Sequence, residues 1–300
     1  MKLEKAKRHQ VKLRIGMSGP SGYGKTYSAL LLAFGITNDW NKIALIDTEN
    51  NSASLYSHLG EFNVLSLSEP YTPERYIEAI KICENAAIEV VIIDSISHEW
   101  SGKGGCLEIH EQLGGRFNDW AKITPRHNAF IDAIIQSKTH IITTSRRKVD
   151  YSLDQDSTGK TKVMKLGTKE IQREGYEYEL TVNFEFLNDK HLVAASKDRT
   201  GLFVGKPEFI INSSTGKKLK DWCNQGISLD TLKLQIENCT TEEELKTIYN
   251  NNSQFSKELY PLIVAKKDAL SALTAQVVPT DNIISNQNTQ LHGNNLTTKH

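Results

Sequence analysis

Short apolar runs alternate with stretches whose apolar residues recur three and four positions apart, and this alternation fills the first half of the chain. Residues 11–17 read as a buried strand that leads into a glycine-rich loop. Residues 26–35 follow as a helix, with Ala29, Leu30, Leu32, Ala33 and Phe34 apolar. Residues 42–47 form a second strand and 61–67 a third. Pro73 stands where a helix begins, a place that tolerates its missing N–H, and 74–85 continue that helix. Residues 88–94 are a continuous apolar run, as a strand covered on both faces requires. Residues 117–137 read as helix in spite of Pro125, and 139–145 as a further strand. Strands alternating with helices predict an α/β fold, a mostly parallel sheet flanked by helices.

The pattern changes after Arg146. Residues 146–175 are polar, basic and glycine-containing, and are expected as a long mobile loop with at most one hairpin. Residues 176–187 and 191–196 read as paired strands turning at Asn188 and Asp189, and a short helix over 216–224 closes the domain. From 228 to 273 the pattern is helical, with Thr240 to Glu244 as an N-terminal capping signal. The expected organisation is a basic lead-in (1–10), a large α/β domain (11–225), a small helical module (226–275) and a tail rich in Asn, Thr and Gln (276–300), expected to be disordered.

Length and composition narrow the function. The 300 residues suffice for one large domain and an appendage. Lys+Arg and Asp+Glu are equal at 36 each, so a polyanionic partner would need a local basic surface. No apolar run reaches membrane-spanning length, and residues 1–14 lack the apolar core of a secretory signal, so no membrane partner is expected. Cys83, Cys106, Cys223 and Cys239 are widely spaced without a CxxC pair, which argues against a zinc site or disulfide framework and for the cytoplasm.

The strongest chemical signal is the loop Gly19, Pro20, Ser21, Gly22, Tyr23, Gly24, Lys25 and Thr26, followed by Tyr27 at the helix start. Glycines let backbone N–H groups turn inward around phosphate oxygens, and the helix N-terminus adds its dipole. Lys25 can reach the β- and γ-phosphates of ATP, and the Thr26 hydroxyl can ligate Mg²⁺. Asp94, at the end of its strand, can complete the Mg²⁺ shell; an Asp there can equally cap a helix. Glu49 lies just past the strand 42–47, where it can orient or deprotonate a water or simply be a solvated carboxylate. His98, Glu99 and His110 are irregularly spaced and read as surface residues, and Trp100, Trp120 and Trp222 as packing anchors.

Residues 44–49, 90–95 and 143–148 resemble three segments of the RecA-type ATPases. The resemblance implies that Glu49 is the catalytic base and that Asp94 belongs to the second acidic motif. It implies a γ-phosphate sensor on the strand before the DNA-binding loop, a glutamine in RecA proteins; Thr143 and Thr144 stand there. Residues 196–201 resemble the Lys-x-Arg element of hexameric RecA-fold helicases, which implies that Lys197 and Arg199 complete a neighbouring subunit's ATP site. A surface turn would carry the same charges. With residues 172–179, the order of motifs resembles the RecA-like ATPases of bacteriophages over about residues 11–225, some of them recombinases of the single-strand annealing (Sak) type. That resemblance implies self-association into a ring or filament, action on single-stranded DNA, and work beside a single-strand-binding protein in the host cytoplasm.

Arg146, Arg147, Lys148, Lys160, Lys162, Lys165 and Lys169, against Asp150, Asp154 and Asp156 and with Tyr151 available for stacking, suit sequence-independent binding of single strands. A solvated charged loop has the same composition. The reading is a DNA-stimulated, oligomeric ATPase of phage recombination or replication. The alternatives are a hexameric helicase-like translocase, or an ATP-dependent switch that binds a protein partner without DNA.

Overall fold

The computed structural model describes residues 11–155, 161–224, 229–252 and 255–275. The chain alternates through β1 (Arg14–Gly19), α1 (Lys25–Thr37), β2 (Ile43–Asp47), β3 (Asn63–Ser66), α2 (Pro73–Asn85) and β4 (Val90–Asp94). Two short helices, α3 (Ser97–Ser101) and α4 (Cys106–Gln112), precede α5 (Trp120–Gln136). Then come β5 (His140–Gln155), β6 (Thr161–Glu170), β7 (Val182–Phe186), β8 (Leu192–Asp198), β9 (Phe209–Ile210) and α6 (Ser213–Asn224). Helices α7 (Leu229–Asn238), α8 (Glu242–Asn251) and α9 (Ser256–Ala275) follow. The main sheet has the order β3-β2-β4-β5-β1-β7-β8-β9. It is parallel from β3 to β7 and antiparallel across β8 and β9. This is the α/β fold that the apolar pattern predicts.

Every residue of β1, β2 and β4 is buried, which is why these strands are apolar without alternation. One face of the sheet packs against α1, with Ile15, Met17, Leu30, Leu32 and Phe184 in a single cluster. The other face meets α2 and α5 through Tyr76, Ile80, Phe130, Ile134, Val91 and Ile141. In α5 the buried residues Ile123, His127, Phe130 and Ile134 recur at helical spacing, so one stripe of the helix faces the sheet. Arg14 closes the far end of that helix. Its guanidinium donates to the carbonyls of Ile135 (2.8 Å), Ser137 (2.6 Å) and Thr139 (2.8 Å), and burial lowers its pKa to about 10.

Several boundaries differ from the sequence reading. The first strand begins at Arg14 rather than residue 11, and a 3-10 turn at Phe117–Asp119 precedes α5. A second such turn, Tyr176–Glu179, precedes β7. In 146–175 the one hairpin allowed for is present, and it takes up most of the expected long loop. There the described residues form a two-stranded antiparallel ribbon in which β5 runs on past the main sheet and pairs with β6 from Arg147↔Glu170 to Gln155↔Thr161. Alternation of Val149, Tyr151 and Leu153 with polar residues is a strand period, which high polarity hides from a reading based on composition.

The chain divides into two compact units, the second starting at Leu229, with Asn251 and Asn252 grouped with the first. In the second unit the Thr241 N–H donates to Glu244 Oε2 (3.1 Å) and the Glu244 N–H to Thr241 Oγ1 (3.2 Å), a reciprocal cap on α8. Among the described residues no helix is long and apolar enough to cross a membrane.

Helices α1 and α6 meet backbone to backbone at Gly35 and Gly216, where an added Cβ would lie 1.9 Å from the Ser213 carbonyl and 2.1 Å from the Leu32 carbonyl. Gly→Ala inside a helix ordinarily stabilises by up to about 1 kcal/mol. At Gly35 the clash reverses that sign: Gly35→Ala should destabilise by about 1–3 kcal/mol, read as a lower denaturation midpoint. His140 is buried and accepts the Leu13 N–H at Nδ1 (3.1 Å); burial, then Lys220, Lys12 and Arg14, hold its pKa well below the usual 6.5. The unfolded chain takes up a proton near the ordinary value that the folded chain refuses. Stability should therefore be full above that range and decline as the pH falls through it, by up to about 1.4 kcal/mol per pH unit. Denaturant unfolding at neutral and mildly acidic pH should show this slope, and His140→Gln should flatten it.

Candidate functional site

Strand β1 ends at Gly19 and the chain turns at once into the glycine loop. Gly22 and Gly24 take φ of 82° and 87°, left-handed values that explain glycine at both places. Helix α1 starts at Lys25 with neither an acidic residue in its first turn nor a side-chain cap. Its first amides thus have no side-chain cap, as a helix start that receives an anion requires. The buried Lys25 ammonium donates to the carbonyls of Gly19 (2.9 Å) and Pro20 (2.8 Å). Burial lowers its pKa, opposed by Asp94 and Glu49.

Two elements converge on the carboxylate of Asp94, which is 3% exposed. The Thr26 hydroxyl donates to its Oδ2 and the Thr144 hydroxyl to its Oδ1, each at 2.5 Å. Burial raises the pKa of this carboxyl, and the Thr144 and Thr26 hydroxyls work against that rise. A carboxylate and a hydroxyl, all-oxygen donors beside a phosphate loop, fit the preference of Mg²⁺. Thr143 faces elsewhere, sharing a hydrogen bond with the Tyr176 hydroxyl (2.9 Å).

Glu49 is held by the turn after β2. Asp47 Oδ1 accepts the Glu49 N–H (2.6 Å) and its Oδ2 the Ala53 N–H (2.9 Å). Thr48 ties the same turn to β4, its hydroxyl donating to the Asp94 carbonyl (3.0 Å) and accepting the Ser95 N–H (2.8 Å). The Glu49 carboxylate meets Arg146, whose Nε and Nη2 lie 3.0 and 2.8 Å from Oε1. Both side chains are partly exposed, so the pair contributes only about 0–1 kcal/mol to stability.

These groups line one cleft of about 460 Å³, which holds Ser21, Gly22, Gly24, Lys25, Thr26 and Tyr27 with Glu49, Asp94 and Arg146. Three further lining residues, Ser52, Tyr56 and His191, escaped the sequence reading. His191 Nδ1–H donates to the Tyr23 carbonyl (2.8 Å) from the turn before β8, and no local motif marks it. Arg146 had a usable signal. It ends an apolar strand, as Asp94 does, and in parallel sheets ligand chemistry gathers at such ends.

The residues expected at DNA separate in space. Arg146 belongs to the nucleotide cleft, because β5 stays paired with β1 until Arg146 stands opposite Gly19. Arg147 pairs with Glu185 (2.9 Å) and is largely buried. Lys148 is exposed and lines a second, larger cleft of about 1120 Å³ together with Trp100, Phe117, Trp120, Lys169 and Arg173. Lys162 falls in β6 but its side chain is outside the described residues, as is the whole of Lys160. Lys197 donates to the Glu177 carbonyl (2.7 Å) and Arg199 to that of Tyr178, so neither reaches the cleft of its own chain.

The surface reading of Glu99 is corrected. It is fully buried, paired with His127 Nδ1 (3.0 Å) and accepting from the Cys106 thiol (3.1 Å), because α3, α4 and α5 fold over it. His98 is half-buried on the Thr48 hydroxyl (2.8 Å), and His110 stacks on Trp120 (4.2 Å). Trp120 also stacks on Trp100 (5.7 Å), and both line the larger cleft, whereas Trp222 packs on the core.

A strand, a left-handed glycine turn, a helix opening on Lys-Thr and a buried carboxylate on the second strand over define a P-loop nucleoside triphosphatase. The AAA domain family matches residues 11–186, more than half of the chain, and the chain belongs to it. It is thus a nucleotide-binding ATPase domain. No curated protein matches the chain.

Asp94 opposes function to stability. Asp94→Asn removes a buried charge while keeping an oxygen for one threonine hydroxyl. It should unfold at an equal or higher temperature, yet lose at least about 10²-fold in Mg²⁺-dependent turnover.

Proposed function

We propose that the protein is an Mg²⁺-dependent, RecA-like ATPase that acts on single-stranded DNA in phage recombination or replication, assembled as a ring or filament. The observation that carries the ATPase part is the meeting of Lys25, Thr26, Asp94 and Glu49 around one cleft. The glycine-loop amides and Lys25 bind and orient the β- and γ-phosphates. Thr26 and Asp94 would hold Mg²⁺, which would supply positive charge to offset that of the phosphates. Glu49 orients the attacking water and takes its proton. Lys197 and Arg199 lie outside their own cleft, which agrees with a role in a neighbouring subunit's site, where cations stabilise charge spreading over the phosphoryl oxygens.

The support for single-stranded DNA is the larger cleft beside the ribbon. His110, Trp120 and Trp100 stack with interplanar angles of 18° and 15°, and Phe117 is 88% exposed. Lys148, Lys169 and Arg173 line the same cleft, with Glu170 and with Glu174, which pairs with Lys169. Rings that stack on bases and cations that track a backbone make a sequence-tolerant site.

ATPase rate with and without single-stranded DNA, measured with the mass of the assembly in ATP, tests the reading. The expected outcome is stimulation together with assembly; a monomer whose rate ignores DNA would favour a switch that binds a protein partner. Lys25→Ala should abolish nucleotide binding. Glu49→Gln should bind ATP normally and lose about 10²–10⁴ in turnover. The double change Lys148→Ala with Lys169→Ala should weaken binding of single-stranded DNA and reduce its salt slope by about 1.4.

A further inference from the structure

Arg146 occupies a place that none of its expected roles explains. It is the last residue of β5 paired with β1, opposite Gly19, and the next residue already belongs to the ribbon. Its backbone is held on both sides: its N–H donates to the Ser97 hydroxyl (2.9 Å), and its carbonyl accepts the Ile171 N–H (2.7 Å). From this anchored position the guanidinium extends into the nucleotide cleft and places both Nε and Nη2 on the same oxygen of Glu49, Oε1. A guanidinium spent on one carboxylate oxygen pins Oε1 and leaves Oε2 as the oxygen able to accept a proton.

We infer that Arg146 is a positioning residue for hydrolysis: it holds the Glu49 carboxylate in the orientation from which Oε2 takes the proton of the attacking water. The inference rests on the proposed role of Glu49 as general base. The proton moves from water to Oε2 as the water oxygen bonds to the γ-phosphorus and the bond to the ADP oxygen breaks; Arg146 gives up and gains nothing. The turn geometry is compatible with this division of labour. Asp47 and Thr48 fix the Glu49 backbone, and among the described residues the side chain accepts its hydrogen bond from Arg146 Nε, with Nη2 at ion-pair distance. A carboxylate fixed only at its backbone would sample rotamers, and misplacement by about 1 Å costs on the order of 10²-fold in rate.

The test is a double-mutant cycle on the full chain, reading kcat and KM for Mg-ATP, with binding of a fluorescent ATP analogue as the control for folding. Arg146→Ala is expected to lower kcat by about 10–10²-fold while KM and analogue binding change less than about threefold. Arg146→Lys, one cation without the fork, is expected to recover part of that loss. Glu49→Gln with Arg146→Ala should be no slower than Glu49→Gln alone, because both changes disable the same proton transfer. Additive losses, a rise in KM at constant kcat, or full activity of Arg146→Ala would overturn the inference, the second by making Arg146 a phosphate ligand. Full turnover by Glu49→Gln would instead remove Glu49 as the base, so failure of the underlying reading is seen separately. If Arg146→Ala does not bind the analogue, Arg146→Lys carries the cycle and must show the same non-additivity.

Discussion

A carboxylate removed from water is costly unless it is hydrogen-bonded or paired with a cation, and Asp94 is such a group. Its two oxygens are taken by hydroxyls from two different elements, Thr26 at the start of α1 and Thr144 near the end of the main-sheet part of β5. Those contacts require β4, β5 and the glycine loop to end at the same edge of the sheet. The parallel register supplies this, setting Gly19 beside Arg146 and Asp47 beside Asp94. The rest of the cleft depends on that alignment. Thr48 bonds to the Asp94 carbonyl, and the turn that it anchors carries Glu49.

The hydrophobic layers make the alignment rigid. Strands buried on both faces cannot slide in register without exposing apolar side chains, and α1 cannot withdraw from the sheet because its other side meets α6 at paired glycines. The loop at its N-terminus is therefore held between a fixed strand and a fixed helix. This is the arrangement that a preorganised phosphate site needs, since donors already in place need no reorganisation when charge develops.

Electrostatics divides the basic residues that sit together in the sequence. Arg146 turns to a carboxylate in the cleft, Arg147 to Glu185, and only Lys148 of the three reaches the aromatic-lined groove. Consecutive residues on a strand point to opposite faces, so three neighbours of like charge need not share a partner. The ribbon and the nucleotide cleft thus meet at Arg146, whose backbone belongs to one and whose side chain to the other.

Local sequence determined much of the fold and the centre of the site. Doubly buried strands are apolar whatever surrounds them, the helix starts carry Pro73 and Thr241, and the glycine loop needs left-handed backbone that few other residues adopt. Asp94 and Glu49 were legible because strand ends in a parallel sheet face the ligand. Tertiary structure alone decided the rest. The ribbon is a pairing of β5 with β6, and pairing partners are not written in either segment. His191 enters the cleft from a turn far along the chain and Tyr56 from the 3-10 segment after β2, and Glu99 becomes a buried partner of His127 only when three helices close over it. Most telling is Arg146: composition assigns it to a basic stretch, while strand register assigns it to Glu49. Charge is a property of a residue, but the partner of a charge is set by which face of a strand the chain presents to it.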